Sequence, residues 1–191
     1  MRRIRWIILL LVIVGLSGFG VWWEWFETYH LATVQPGVLY RDGVRSKHEM
    51  ENALRKVKPR TVVRLVDEDE QAREPFASEV TYCHEHGIAV IDIPIRLGGW
   101  PTMEQVNKFL RIASDPAKQP VLVHCAQGVR RTGMMAAAFE RKVLGWDKAR
   151  TRAAVLSFGH SHRTTDDVVR FIREYNPATG AVPTSQPASV E

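Results

Sequence analysis

Short apolar runs alternate along the chain with amphipathic segments, a pattern that predicts strands followed by helices. Runs rich in β-branched residues predict buried strands at 61–66, 88–93 and 120–123. Segments that begin at capping-box patterns or end at Gly or Pro predict helices at about 46–57, 74–86, 102–114, 132–144, 147–158 and 165–175. Because alternating strands and helices build parallel sheets, the predicted fold class is α/β, with a mostly parallel central sheet flanked by helices.

The N-terminal segment differs from the rest of the chain because it carries no charge from Trp6 to Trp23, after three arginines at positions 2, 3 and 5. As a helix, these 18 residues would extend roughly 27 Å, close to the thickness of a bilayer's hydrocarbon core. Tryptophans near both ends are typical of the membrane interface. We therefore predict one N-terminal transmembrane helix within an anchor and juxtamembrane segment, residues 1–30; a cleaved signal peptide is the alternative.

The orientation of this anchor follows from its flanking charges. The three arginines before the apolar run, against Glu24 and Glu27 after it, favour an amino terminus in the cytoplasm and a following domain on the non-cytoplasmic side. A reactive thiol in the following domain would argue the opposite way, since an exported compartment can be oxidising. The non-cytoplasmic side is preferred, and the orientation stays open.

The remaining chain has the composition of one folded domain with an unstructured end. Hydrophobic residues make up 45% and charged residues 25% of the 191 residues, which suits a single domain over 31–176. Residues 177–191 are rich in Pro, Ala, Ser and Thr and are predicted to be disordered. The formal charge of +5 is spread along the chain without a Lys/Arg block interleaved with aromatics, so no nucleic-acid partner is predicted.

Neither a metal site nor a disulfide scaffold is predicted. The histidine pairs at 84/86 and 160/162 lack a third ligand at a suitable spacing, so we expect no metal and no cofactor. Two cysteines are too few for a disulfide scaffold. A reversible bridge between Cys83 and Cys125, and a plain buried or surface Cys83, are both left open.

Residues 124–133 place a cysteine and an arginine at the two ends of a loop sized for one phosphate. A buried strand leads into this loop and a helix follows it, so successive backbone N–H groups form an anion-binding nest at a helix N-terminus. The predicted phosphate contacts are Ala126, Gln127, Gly128, Val129, Arg130 and Arg131. Cys125 is the predicted nucleophile, in its thiolate form, because the same field favours the anion.

Arg131 is given a second role, and three further residues of the loop are given roles. The planar fork of Arg131 can hold two phosphate oxygens in the ground state and in the transition state. The Thr132 hydroxyl would stabilise the departing thiolate. His124 and Gly133 are assigned to support the loop.

The run from His124 to Gly133 resembles the signature loop of cysteine-dependent protein tyrosine and dual-specificity phosphatases, which reads His-Cys, five residues, Arg, Ser or Thr, and usually Gly. The similarity covers about residues 35–176, with matching strands at 36–41, 61–65 and 119–125, and is strongest to compact atypical dual-specificity phosphatases of plant and fungal type. The resemblance implies a phosphomonoester hydrolase that works through a phosphocysteine intermediate. Its substrates would be phosphorylated proteins or small phosphomonoesters, including inositol phosphates and phosphoinositides.

The general acid of these phosphatases is missing from its usual place. They carry a carboxylic acid on the loop after the third strand, whereas residues 94–101 contain none and Leu97 stands where many relatives have aspartate. The candidates are Asp92, which precedes that loop, and the acidic run at 67–70, which could equally be a solvated loop. A reaction without a general acid is the third alternative, and it would favour substrates with good leaving groups.

Two other functions fit part of the pattern. A phosphate-binding module at the membrane, with little or no turnover, would keep the loop and lack the acid. A rhodanese-like sulfurtransferase is also suggested, because residues 125–130 resemble the active loop of that class, although Arg131 and Thr132 fit the phosphatase spacing better. Arg130 would suit a polyanionic substrate, or it could form an ordinary salt bridge.

Overall fold

A five-stranded sheet forms the centre of the fold in the computed structural model, which describes residues 2–156 and 162–182. Its strands are β1 (Tyr29–Gln35), β2 (Leu39–Gly43), β3 (Thr61–Arg64), β4 (Ala89–Asp92) and β5 (Val121–Cys125). Their order across the sheet is β1-β2-β5-β3-β4, in which β2 to β5 are parallel and β1 pairs antiparallel with β2 at the edge. The predicted mostly parallel sheet is confirmed, and β5 lies at its centre.

One helix precedes this sheet, and the others lie around it. The helices are α1 (Arg2–Phe26), α2 (Lys47–Val57), α3 (Glu68–Gln71), α4 (Phe76–Glu85), α5 (Met103–Ala113), α6 (Arg130–Lys142), α7 (Lys148–Leu156) and α8 (His162–Glu174). The capping patterns begin helices as predicted, because the Ser46 hydroxyl accepts from the Glu49 N–H and Thr102 forms a full capping box with Gln105. The predicted end of the seventh helix, at 158, lies outside the described residues.

One strand and one α-helix are absent from the sequence prediction. Strand β1 has no regular alternation of apolar and polar residues, and all but one of its residues are partly buried, as expected of an edge strand that gains its hydrogen bonds from β2. Helix α3 forms within the acidic run because Asp67 and Glu70 complete a capping box of their own.

Helix α1 occupies the segment for which a transmembrane helix was predicted. The exposed fractions of Trp6, Leu11 and Leu16 are 64%, 66% and 66%. Within residues 2–156 and 162–182, no helix combines the length and the hydropathy that crossing a membrane requires. The helix itself is present, but the predicted crossing is not supported, since forming a helix does not by itself establish that it spans a bilayer.

The chain after α8 is ordered further than predicted. An isolated bridge joins Asn176 and Ala181, and the Gly180 N–H donates to the Asn176 carbonyl at 2.8 Å. Residues 177–182 therefore form a turn rather than the beginning of a disordered tail. Residues 183–191 lie outside the described part of the chain.

The core packs closely around β5 and α6. All five residues of β5 are buried, and ten consecutive residues of α6 are buried as well, which makes it the most enclosed helix of the described chain. Each large apolar side chain removed from water here, such as Leu122, Met134 or Phe139, contributes about 1.5–3 kcal/mol. The short connection between β5 and α6 is therefore held at both ends by the best-packed part of the protein.

Candidate active site

Cys125 lies at the carboxyl end of the central strand β5, and 2% of its surface is exposed. The backbone N–H of Gly128 donates to Cys125 Sγ at 3.2 Å. Helix α6 begins directly after the loop, and Val129, its N-cap residue, makes no side-chain hydrogen bond to the helix end. The free N–H groups and the positive end of the helix dipole are thus available to an anion beside the sulfur.

The outer side of the loop is held by β2 and the residue after it. The Val44 N–H donates to the carbonyls of Cys125, at 3.2 Å, and Ala126, at 2.9 Å. Arg41 Nη2 donates to the Gly128 carbonyl at 2.7 Å. These carbonyls are thus bound on the outside of the loop, while the Gly128 N–H is directed at the sulfur.

Two glycines allow the loop to lie directly against β2. Gly128 has φ +69°, and a Cβ built on it would be 2.5 Å from the Asp42 carbonyl oxygen. A Cβ on Gly43 would be 2.6 Å from the Gln127 carbonyl carbon. The predicted backbone role of Gly128 thus has a specific contact, whereas the contribution of residues 41–43 was not predicted. A glycine at the end of a buried strand was the one available signal.

Arg131 is anchored by Glu70 of the acidic helix α3. Arg131 Nη2 donates to Glu70 Oε1 at 2.8 Å, Nη1 donates to Glu70 Oε2, and Nη1 also donates to the Ile95 carbonyl at 3.2 Å. Burial lowers the pKa of Arg131, but the hydrogen bonds to Glu70 and the charges of Cys125 and Glu70 outweigh it and raise that pKa. The guanidinium is therefore a fixed cation beside the sulfur, and Glu70 serves to position it.

His124 lies behind the loop in a buried charged cluster. The ring is fully buried, with Nε2 2.9 Å from Glu79 Oε1, and it stacks parallel to Phe76 at 6.2 Å between centroids. Glu79 Oε2 is 4.0 Å from Arg64 Nη1. His124 is thus placed where it can support the strand end, as expected, and Glu79 and Arg64 are additional supports that sequence reasoning missed.

The two residues around Arg131 have different environments. Arg130 Nε donates to Asp167 Oδ2 at 2.5 Å and Nη1 donates to the Gly99 carbonyl at 2.6 Å, so its side chain forms a salt bridge rather than a phosphate contact. Thr132 is fully buried, and its Oγ1 has no hydrogen-bond partner within the described chain. Its hydroxyl is therefore free to donate to an anion. Gly133 lets α6 pack against α8, since a Cβ there would be 3.3 Å from Val168 Cγ2.

Three of the carboxylates considered as general acids, Asp92, Asp67 and Glu70, are bound by other groups. Both oxygens of Asp92 accept from Arg64, at 2.7 Å from Nε and 3.0 Å from Nη2, so the structure does not present Asp92 as a proton donor to the loop. Asp67 accepts from the N–H groups of Glu70 and Leu97, each at 3.0 Å. These hydrogen bonds, with the first of them dominant, lower the pKa of Asp67.

An open cavity of about 700 Å³ lies next to Glu70. Its lining comprises the acidic helix and the loop after β4: Asp67, Glu68, Asp69, Glu70, Arg73, Pro94, Arg96 and Leu97. Glu68 and Asp69 are exposed there, as are Arg73 and Arg96. The cavity thus offers charges of both signs beside the residue that holds Arg131.

Three further buried ionisable side chains, Asp42, Glu140 and Arg41, have shifted pKa values. Burial raises the pKa of Asp42 to about 8 and that of Glu140 to about 7. Burial also lowers the pKa of Arg41 to about 10, against the raising effect of Glu140 and Cys125. Asp42 is therefore held largely protonated near neutral pH, so that it adds little negative charge next to the sulfur.

Both cysteines are free thiols in the structure. Cys83 is fully buried in α4, and burial raises the pKa of its thiol to about 12, which makes it a poor nucleophile. This environment is that of a core residue and lends no support to a bridge with Cys125. Among the described residues no cluster of potential metal ligands is found, and His160 lies outside them.

Comparison with known proteins decides the family. Residues 32–171 match the family model described as "DSP-PTPase phosphatase fused to NAD+ Kinase". The chain belongs to this phosphatase family. The match covers the sheet except the start of β1, the loop and most of α8, so the predicted relationship to atypical dual-specificity phosphatases is confirmed.

Curated relatives are similar over parts of their length. The dual specificity protein phosphatase TpbA of Pseudomonas aeruginosa is 25% identical over 137 residues, which are 72% of this chain and 57% of that protein. The probable chloroplastic NAD kinase 2 of rice is 32% identical over 79 residues, 41% of this chain and 8% of the kinase. This chain thus matches little more than half of the length of TpbA and a small part of the length of the plant protein.

Solved structures share the fold. The core catalytic domain of the PP-IP phosphatase SIW14 from S. cerevisiae superposes with a TM-score of 0.62 at 20% identity, covering 78% of this chain and 87% of that chain. The crystal structure of P. aeruginosa TpbA gives the same TM-score at 23% identity, with the same two coverages. The protein tyrosine phosphatase-like arrangement of sheet and helices is therefore confirmed.

Proposed function

We propose that the protein hydrolyses phosphomonoesters as a cysteine-dependent phosphatase of the tyrosine or dual-specificity type. One observation carries the proposal: Cys125 Sγ accepts from a loop N–H at the start of α6, within the electrostatic reach of an Arg131 that Glu70 holds in place. A nucleophilic sulfur, inward N–H groups and a fixed guanidinium are the parts that phosphoryl transfer to cysteine needs.

In the first step the phosphoryl group binds the loop N–H groups and Arg131, and the Cys125 thiolate attacks phosphorus. The bond from phosphorus to the ester oxygen breaks, and the leaving oxygen takes a proton from solvent or a donor at the rim. In the second step water attacks the phosphocysteine, the S–P bond breaks, and inorganic phosphate is released. The Thr132 hydroxyl can stabilise the thiolate that departs in this step.

The leaving-group proton sets the preferred substrate. Asp92 is bound to Arg64 on both oxygens, and the loop after β4 has Leu97 in place of an acid. We therefore expect aryl phosphates, whose leaving group needs protonation least, to react fastest, and a phosphorylated protein to be the substrate. TpbA has been crystallised with pTyr, which agrees with this order, while PTPMT1 has been crystallised with PI(5)P, so inositol lipids are the alternative.

The test is hydrolysis of p-nitrophenyl phosphate by the full chain between pH 5 and 8 in the presence of a reductant. Turnover that disappears in Cys125→Ser, with a phosphocysteine trapped in the parent by rapid acid quench, would support the proposal. Orthovanadate binding without any turnover would identify a phosphate-binding module instead. Transfer of sulfur from thiosulfate to cyanide would identify a sulfurtransferase.

We further propose a membrane location through α1, with the phosphatase domain on the non-cytoplasmic side. The exposed apolar side chains of α1 and the arginines at its start support this location. Recovery of the full chain in carbonate-washed membranes, with the domain digested by externally added protease, is the expected result. Recovery in the aqueous fraction would contradict it.

A further inference from the structure

A histidine from the far N-terminal side of the domain contacts the loop beside the nucleophile. His30 Nδ1 lies 2.7 Å from the carbonyl oxygen of Gln127, 97 residues away along the chain. A carbonyl oxygen can only accept, so Nδ1 carries the hydrogen and donates it. The N–H of the same peptide group, that of Gly128, donates to Cys125 Sγ at 3.2 Å. One peptide unit is therefore bound by His30 at one end and by the sulfur at the other.

The backbone of β1 is shaped to place His30 there. Tyr29 pairs with Gly43 and Ala32 pairs with Arg41, so the register shifts between these pairs, and a bulge separates them. His30 has φ +62°, in the left-handed region that residues other than Gly seldom adopt, although Asn, Asp and His do so more often than the rest. This unusual backbone persists at a residue whose side chain reaches the loop.

The imidazole ring of His30 is also held by stacking on a neighbouring aromatic ring. The Tyr29 ring stacks on it with 3.9 Å between centroids, and the guanidinium carbon of Arg45 lies 3.6 Å from the Tyr29 ring centroid. Arg45 is itself bound to Glu49 at 2.8 Å. Stacking restricts the rotation of the ring, so the hydrogen bond to Gln127 is preorganised.

We infer that His30 is a positioning residue for Cys125, which acts through the peptide group between Gln127 and Gly128. The peptide group is planar, so fixing the carbonyl outward fixes the N–H inward, toward the sulfur. A hydrogen bond to the carbonyl also polarises the peptide and strengthens the N–H as a donor. The inference rests on the proposed function, in which Cys125 is the nucleophile.

Other charged groups also act on Cys125 Sγ, and they limit the expected effect of His30. Arg131 from α6 and Arg41 from β2 are cations near the sulfur, and Asp42 from β2 is the buried carboxyl group beside it. These groups stay in place when His30 is replaced. The loss of one indirect hydrogen bond should therefore lower the thiolate's reactivity by about fivefold rather than abolish it.

Three substitutions separate the side-chain hydrogen bond from the backbone conformation. His30→Gly removes the donor and relaxes the positive φ, His30→Ala removes the donor and keeps the strain, and His30→Asn keeps an N–H donor near the position of Nδ1 on a residue that tolerates this φ. The matched control is His86→Ala, because His86 Nδ1 also binds a main-chain carbonyl, that of Tyr82 at 2.8 Å, on the exposed end of α4.

The main measurement is the rate at which iodoacetamide alkylates Cys125 across pH 4 to 9 in the full chain, with Cys125→Ser giving the background from Cys83. The rate at the pH where the parent reacts at one tenth of its pH 9 rate, divided by the rate at pH 9, reports the thiolate fraction, which a merely structural role would not change in a protein of unaltered thermal unfolding. We expect this ratio to fall about fivefold in His30→Gly and His30→Ala, and kcat for p-nitrophenyl phosphate at that pH to fall with it. His30→Asn should restore both to within about twofold of the parent, and His86→Ala should match the parent.

A His30→Gly ratio equal to that of the parent would overturn the inference, and so would a His30→Asn protein as impaired as His30→Gly. If His30→Ala does not fold, the comparison of His30→Gly with His30→Asn still tests the positioning role of His30. A parent that is alkylated at pH 6 but hydrolyses no ester would refute the proposed function, while the alkylation ratios would still test the role of His30.

Discussion

Replacing Asp42 by asparagine should stabilise the protein at neutral pH. The Asp42 carboxyl is fully buried in β2, and no side chain of the described residues donates a hydrogen bond to it. Burial, followed by the repulsion of Glu79, Glu49 and Cys125, raises its pKa from 3.8 to about 8, although the Gly43 N–H lowers it somewhat. Asparagine has nearly the same shape and carries no charge at any pH.

The sign and size of this stabilisation follow from proton linkage. Below about pH 4 the carboxyl is protonated in both the folded and the unfolded chain, so it has no effect on the pH dependence. Between about pH 4 and 8 the unfolded chain loses this proton and the folded chain keeps it, so the free energy of unfolding falls by about 1.4 kcal/mol per pH unit. At pH 7, roughly 3 units above the ordinary pKa, the loss reaches up to about 4 kcal/mol.

Urea unfolding of parent and Asp42→Asn at pH 4, 5, 6, 7 and 8.5 measures this directly. The two proteins should have similar free energies of unfolding at pH 4. The difference in favour of the variant should increase at each step up to pH 8. The control is Asp115→Asn, since Asp115 is bound to Lys118 and its pKa is lowered, mainly by that hydrogen bond. Its stability difference should be constant from pH 5 to 8. A difference for Asp42→Asn that is also constant over this range, or a variant less stable than the parent at pH 7, would refute the reasoning.

Two predictions concern the carboxylates around the loop. Glu70→Gln should lower kcat/KM for p-nitrophenyl phosphate about 10- to 100-fold, because Arg131 loses a charged, bidentate partner, whereas the exposed Glu68→Gln should change it less than about twofold. Asp92→Asn should reduce kcat less than about threefold and lower the melting temperature, because Asp92 binds Arg64 rather than the substrate.

Steady-state kinetics across pH 5 to 8 and thermal unfolding check both predictions. A Glu70→Gln protein with parental kcat/KM would show that Arg131 is positioned without it. Asp92 would be the general acid after all if Asp92→Asn lowered kcat 100-fold or more and also removed the decrease of kcat at high pH.

The strands and helices around the loop could be predicted because their signals are local. The capping residues Ser46 and Thr102 set helix starts within a single turn, and the apolar run before Cys125 is itself the buried strand β5. Strand β1 could not be predicted in the same way, because its hydrogen bonds come from β2 and its own residues show no alternation.

The roles of the acidic and basic side chains were harder to predict. Asp92 and Glu70 were both candidates for the same acid, yet Asp92 pairs with Arg64 across 28 residues and Glu70 pairs with Arg131 across 61. Nothing in the local pattern of either residue specifies a partner so far away. Arg130, for which the sequence left a phosphate contact and a salt bridge open, pairs with Asp167.

By itself, the sequence determined the phosphate loop, its nucleophile candidate, the arginine six residues after that cysteine, and the α/β alternation that places them at a strand end. These features are contiguous, and their physics is that of short segments: β-branched runs, caps and a helix N-terminus. Only the tertiary structure decided that Glu70 holds Arg131, that Asp42 is buried beside the sulfur and that His30 binds the loop from outside. Those contacts join segments far apart in the chain, and they form only when the sheet brings β1, β2 and the end of β3 around β5.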